Sequence, residues 1–191
     1  MAEEASSVQR RGGLDYMRVS RVRSCDGANS GRETDHGELV DLRCSALVLR
    51  ENTVLLCRKP DEGVWVLPGG TPNAGEGAAA AAEREVFEET GLATSASHIA
   101  FVLETTSGDF RHHLIEIVFL GVEMDVSASP RHRESGLMPS FVPLVGLGDL
   151  RLMPPLSGYI RGLARYQRMA NHGRWPYTAA YLGNLWREPE A

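Results

Sequence analysis

GTPNAGEGAAAAAEREVFEETGL (70–92) is the stretch that decides the fold. Its second half reads as a helix over residues 77 to 90. Ala78 to Ala82 form a run of the strongest helix former, and Gly91 suits the left-handed position that ends a helix. Glu76 stands at its beginning. At 3.6 residues per turn, Glu85, Glu88 and Glu89 fall within a ~100° arc of one helix face. Clustered like charges of this kind cost a few tenths of a kcal/mol per pair. Taken alone, they describe a solvated acidic face as well as they describe a metal platform.

The flanking residues favour the platform. Carboxylate oxygens are the donors Mg²⁺ prefers, and that ion keeps several waters and borrows substrate phosphate oxygens. Leu67-Pro68-Gly69-Gly70 leads into the stretch, and paired glycines let the backbone approach a ligand closely. Arg84 lies four residues before Glu88 and can hold its carboxylate by a charge-assisted bond. The plainer alternative for Arg84 is a surface ion pair of small value.

Gly70, Glu76, Arg84-Glu85-Val86, Glu88-Glu89 and Gly91-Leu92, at these spacings, resemble the Nudix box at every fixed position. Trp65-Val66-Leu67-Pro68-Gly69 resembles the usual lead-in. The layout likeness covers about residues 40 to 150, and the specific motif 65 to 92. The resemblance implies an α/β/α sandwich with a mixed β-sheet. It implies a pyrophosphohydrolase using Mg²⁺, with Mn²⁺ as a substitute. Glu85, Glu88, Glu89 and the Gly69 carbonyl would be metal ligands. Arg84, together with Glu76, would orient a ligand carboxylate. Val86 and Leu92 would face the core.

A carboxylate must also accept a proton from the attacking water. The candidates are Glu89 and Glu134, the latter in RHRESG (131–136) and favoured because the family often places an acidic residue in this region. A solvated loop charge is the alternative for Glu134, and Glu104 and Glu116 are weaker candidates within strands. Phe110 and Arg111 are candidates for substrate binding, one by stacking on a base and one by meeting phosphate. They fit an exposed hairpin end as well. The expected substrate is a nucleoside diphosphate linked to another group, or a nucleoside triphosphate. Members of the resembled family that act on ADP-ribose often carry a proline soon after the box; none occurs here between Leu92 and Pro130, which weighs against ADP-ribose. A non-catalytic nucleotide-sensing module is the competing reading, but such modules tend to lose box glutamates. An isoprenoid diphosphate isomerase would want a poised cysteine, which Cys57 fits poorly.

Outward from the box, LVDLRCSALVLR (39–50) and TVLLCRK (53–59) predict a hairpin about Glu51-Asn52. VWVL (64–67) predicts a short strand. HIAFVLETT (98–106) and HLIEIVFLGVE (113–123) predict two more, FVPLV (141–145) another. LSGYIRGLARYQRM (156–169) predicts a helix with apolar residues at 156, 160, 163 and 166. This mixture predicts an α/β layered domain over 39–170. Residues 1–38 are polar, glycine-rich and without periodicity, and are expected to be a poorly ordered arm. Residues 171–191 carry Trp175, Tyr177, Tyr181, Leu182, Leu185 and Trp186. They are expected to pack on the domain or on a second subunit, which leaves a homodimer open.

Composition narrows the partners. The 191 residues are 42% hydrophobic with a formal net charge of −5, which disfavours duplex nucleic acid. A phosphorylated small molecule remains compatible, since a metal ion reverses the charge of an acidic site. No stretch is apolar enough for a membrane span, and residues 1 to 23 have no signal-peptide core. A cytoplasmic address is therefore expected. The three cysteines, Cys25, Cys44 and Cys57, make no pairing motif. Cys44 and Cys57, in apolar runs, are expected to pack as small core residues.

Overall fold

The structure, a computed structural model, describes residues 40–106, 113–169 and 179–185. The expectations placed on residues 1–38, on Phe110 and Arg111, and on Trp175, Tyr177 and Trp186 lie outside the described residues.

Among the described residues, eight strands and two helices make the fold. They are β1 (Val40–Arg50), β2 (Thr53–Lys59), β3 (Val64–Val66), β4 (Gly69–Gly70), α1 (Ala78–Thr90), β5 (Thr94–Thr106), β6 (His113–Glu123), β7 (Met138–Pro143), α2 (Ser157–Met169) and β8 (Ala180–Asn184). The strands run in the order β3-β2-β1-β6-β5-β8, with β4 on β1 and β7 on β2. The sheet is mixed: β1 with β6 and β5 with β8 are parallel, and the remaining pairs are antiparallel.

β1 organises the site. One of its edges pairs with β6 from Val40 opposite His113 to Val48 opposite Gly121. Its other edge is shared. Leu49 and Arg50 pair with β2 through the expected tight turn, where Glu51 takes a left-handed φ of 52°. Cys44 and Ser45 pair with Gly70 and Gly69. β2 and β4 thus share one edge of β1, at different points along its length.

Alternation along β1 separates two cores. Cys44, Ala46 and Val48 join Ala81, Ala82, Val86 and Leu92 of the α1 region. Leu47 joins Phe101, Leu103, Val118 and, from the α2 region, Leu156, Ile160 and Leu163. Each helix therefore covers one face of the sheet, the α/β/α arrangement expected from the sequence. Small alanines let α1 sit close to the strands, and full burial of a side chain such as Val86 stabilises by about 1.5–3 kcal/mol. Cys44 and Cys57 are fully buried. Tyr166, the last residue of the α2 stripe, lies at the rim and is 36% exposed.

Several boundaries differ from the sequence expectation. The box helix begins at Ala78, so Glu76 precedes it rather than starting it. The strand expected at 141–145 is instead Met138–Pro143, followed by a 3₁₀ turn over Leu144–Asp149. Pairing with β2 draws in Met138 to Ser140, and the Leu144 N–H turns away to the Asn52 carbonyl. β5 starts four residues early because Thr94 to Ala96 continue the ladder with β6. Neither β4 nor β8 carries a strand signature; both exist because a neighbouring strand offers an unpaired edge. Leu182 and Leu185 pack against the α2-side core. Among the described residues no helix is long and apolar enough to cross a membrane.

Candidate active site

The site is built where β4 meets α1. Backbone contact requires glycine at the first position of β4, and the Glu85 side chain fills the space beside the second. A Cβ on Gly69 would stand 2.6 Å from the Cys44 carbonyl oxygen, and one on Gly70 would occupy the space of the Glu85 carboxyl group. The helix therefore lays its first site carboxylate directly over the strand.

Arg84 ties the acidic residues together. Its Nε and Nη2 donate to the two oxygens of Glu76 at 2.9 and 3.0 Å. Nη1 donates to Glu85 at 2.7 Å and to Glu88 at 2.9 Å, and Nη2 also reaches the Thr71 carbonyl at 3.2 Å. All three nitrogens of the guanidinium are engaged. The Arg84 bonds, with the Asn73 N–H at 2.8 Å, hold the Glu76 carboxyl below its ordinary pKa. The same bonds raise the pKa of Arg84. Glu76 thus fixes Arg84, and Arg84 fixes Glu85 and Glu88.

Glu89 occupies a different environment. It is 5% exposed. Its Oε2 accepts the Gly69 N–H at 3.2 Å and lies 3.6 Å from Sγ of Cys57. Burial pushes its pKa up to about 7; Arg43 opposes the shift, while Glu85 and Glu134 add to it. The Cys57 thiol is itself pushed up, first by burial and then by Glu89. It is a hydrogen-bond donor to the carboxylate rather than a nucleophile.

The loop after β6 brings Glu134 into the same field. The Arg131 N–H caps the Thr90 carbonyl at 2.8 Å, and the Arg133 guanidinium lies 4.6 Å from the Phe87 ring centroid. Arg133 also packs over Gly91, which ends α1 at φ 75°. The half-buried Glu134 follows, near enough to act on Glu89 electrostatically.

The structure thus brings Gly69, Glu76, Arg84, Glu85, Glu88, Glu89 and Glu134 to one end of the sheet. Glu104 is elsewhere, paired with His113 at 3.0 Å. Glu116, a weak candidate from sequence, is 2% exposed. It accepts the Ser45 hydroxyl and faces Arg43 Nε at 3.6 Å. Arg43 and Ser45 were missed by motif reasoning. Their signal was polar side chains beside the apolar run of β1.

Among the described residues, no three His, Cys, Asp or Glu side chains are grouped closely enough to hold a metal ion between them. The donors nevertheless suit a hard divalent ion. They are carboxylates, they repel one another, and Mg²⁺ needs only one or two of them beside water and phosphate. The space that Gly70 leaves for the Glu85 carboxyl group keeps it over β4, near enough to act on Glu89 electrostatically.

Comparisons place this arrangement among known proteins. The family model for the NUDIX domain matches residues 41–154. An ADP-ribose pyrophosphatase of Methanocaldococcus jannaschii is 35% identical over 77 residues, 39% of this chain and 46% of that protein. The match therefore spans about half the length of that relative. The MutT protein of Methanosarcina mazei Go1 shares the fold with a TM-score of 0.57 at 24% identity, over 72% of this chain and 100% of that one. An ADP-ribose pyrophosphatase structure from Streptococcus suis 89-1591 shares it with a TM-score of 0.52 at 21% identity, over 75% and 98%. The family pattern covers most of the chain and every site residue described above, so this chain belongs to the NUDIX domain family.

Proposed function

We propose that the chain is a divalent-metal-dependent pyrophosphohydrolase. It cleaves the phosphoanhydride of a nucleoside diphosphate linked to another group, or of a nucleoside triphosphate. The observation that carries this reading is the buried Glu89, held by Gly69 beside Glu85, which Arg84 aims. Carboxylates kept this close are stabilised when a cation joins them, and a diphosphate brings the remaining oxygen donors.

Glu85, Glu88 and Glu89, with the Gly69 carbonyl, would hold Mg²⁺ or Mn²⁺. Such an ion neutralises phosphate oxygens and lowers the barrier to attack on phosphorus. The residues of the chain supply positioning, the larger part of phosphoryl-transfer catalysis. Glu76 and Arg84 fix the angle at which Glu85 and Glu88 face the substrate. Water forms the new P–O bond as the bridging P–O bond breaks, and its proton passes to a carboxylate. Glu134 is the proposed acceptor, and Glu89 would serve as a metal ligand. The 35% identity to an ADP-ribose pyrophosphatase supports a nucleoside-diphosphate conjugate as the first substrate to test. The missing proline weighs the other way.

The experiment is a panel of ADP-ribose, other nucleoside-diphosphate conjugates and nucleoside triphosphates, with Mg²⁺ or Mn²⁺, and products identified. Turnover that requires the metal and disappears in a folded Glu88→Gln variant is the expected result. Tight nucleotide binding without metal-dependent turnover would replace the enzyme with a sensor.

A further inference from the structure

The candidate site gathers five carboxylates, Glu76, Glu85, Glu88, Glu89 and Glu134, to receive an anionic substrate. Its one motif guanidinium, Arg84, is committed to three of those carboxylates and a carbonyl. A second guanidinium reaches the site from β1. Nη2 of Arg43 donates to the Leu67 carbonyl at 3.3 Å, and the N–H of Gly69, two residues on, donates to Glu89. Arg43 and Glu89 therefore hang from the same turn. Among charged groups, Arg43 exerts the largest effect on Glu89.

Its support is unusual for a strand arginine. Arg43 and Glu116 stand opposite each other in the parallel β1–β6 register. Glu116 is almost wholly buried, and its Oε1 meets both the Ser45 hydroxyl and Arg43 Nε. The Arg43 side chain nonetheless keeps 26% of its surface exposed. A buried carboxylate thus lies against Nε of a planar guanidinium whose side chain stays partly exposed. That geometry suits bidentate recognition of phosphate oxygens.

Resting on the hydrolase reading above, we propose that Arg43 binds a non-bridging phosphate oxygen of the substrate diphosphate, and that Glu116 and Ser45 are its positioning residues. The competing explanation is an ion pair that serves only the fold. An unpaired buried Glu116 would itself destabilise the protein, so Arg43→Gln alone confuses the two. The Arg43→Gln/Glu116→Gln double variant separates them, because it removes the buried charge together with its partner.

The test is calorimetric binding of α,β-methylene-ADP with Mg²⁺, alongside steady-state turnover of ADP-ribose, for parent, Arg43→Gln, Arg43→Lys, Glu116→Gln and the double variant. Loss of a charge-assisted bond weakens binding by roughly 10–100-fold. We expect that loss in Arg43→Gln, together with a higher KM and a much smaller change in kcat. Arg43→Lys restores part of it, and Glu116→Gln shifts Kd in the same direction by less. The double variant should melt near the parent temperature and still bind weakly. Parental affinity in a folded double variant overturns the proposal and leaves the hydrolase reading standing. A parent that binds the analogue through Arg43 but hydrolyses no member of the substrate panel above overturns the hydrolase reading and keeps the anion site. A parent that binds no analogue overturns the Arg43 site.

Discussion

The peptide N–H of Gly69 donates to Oε2 of Glu89 across 3.2 Å. A glycine at the end of a two-residue strand thereby fixes a carboxylate from the last turn of a helix 20 residues later. The bond requires the strand to lie against Ser45 and Cys44 with no side chain intervening. Two alanine substitutions separate its parts. In Gly69→Ala the new methyl meets backbone of β1, which cannot move cheaply, and overpacking of this kind costs about 1–3 kcal/mol. In Gly70→Ala it meets the Glu85 carboxyl group, which can swing away. Thermal melts should show the larger loss for Gly69→Ala, and turnover assays should show Gly70→Ala inactive though folded. Equal melting losses would mean that Glu85 is as rigid as the backbone.

Arg84→Lys keeps the charge and removes the fork. A lysine ammonium cannot engage Glu76 bidentately while also holding Glu85 and Glu88. Displacing the site carboxylates by about 1 Å is expected to lower kcat/KM by roughly 100-fold. These pairs are only partly buried, so stability should change by less than about 1 kcal/mol. A lysine variant with near-parental kcat/KM would show that the carboxylates hold their places without Arg84.

Glu89 gives the metal-free protein a pH signature. Its folded pKa, near 7, lies above the ordinary carboxylate value of 4.5. The neutral form is therefore the one the fold favours. Its contribution is fully present below about pH 4.5 and is lost as pH rises through about 7. The loss is on the order of 3 kcal/mol, at about 1.4 kcal/mol per pKa unit. Glu89→Gln cannot ionise and escapes it. In EDTA, the variant should gain stability over the parent steadily from about pH 4 to pH 8, and Mg²⁺ should narrow the gap at the alkaline end. A difference that does not vary with pH would remove the buried ionisable Glu89.

Glu134 and Glu89 have separable roles if Glu134 accepts the proton. Glu134→Gln should lower kcat by about 100-fold or more and leave the Mg²⁺ concentration dependence close to the parent's. Glu89→Gln should change both. Unchanged turnover in Glu134→Gln, with turnover abolished in Glu89→Gln, would move the base into the helix.

The local parts of this protein were legible in its sequence because they rest on short-range physics. An alanine run, a terminal Gly91 and glutamates at helical spacing specify α1 and its acidic face without reference to other residues. β1, β2 and β6 were legible through their apolar runs, strands mixed with helices pointed to an α/β layered domain, and the Nudix resemblance implied its α/β/α form. Tertiary structure decided what depends on residues far apart in the chain. β4 exists because β1 has a spare edge at Cys44 and Ser45. Glu89 differs from Glu85 and Glu88 because only it turns towards Gly69 and Cys57 and leaves water. Arg43 and Glu116 meet because β1 and β6 run parallel in one register across 73 residues of chain. The motif marked which carboxylates could act together. Their unequal burial, which raises the pKa of Glu89, came from packing that no local pattern encodes.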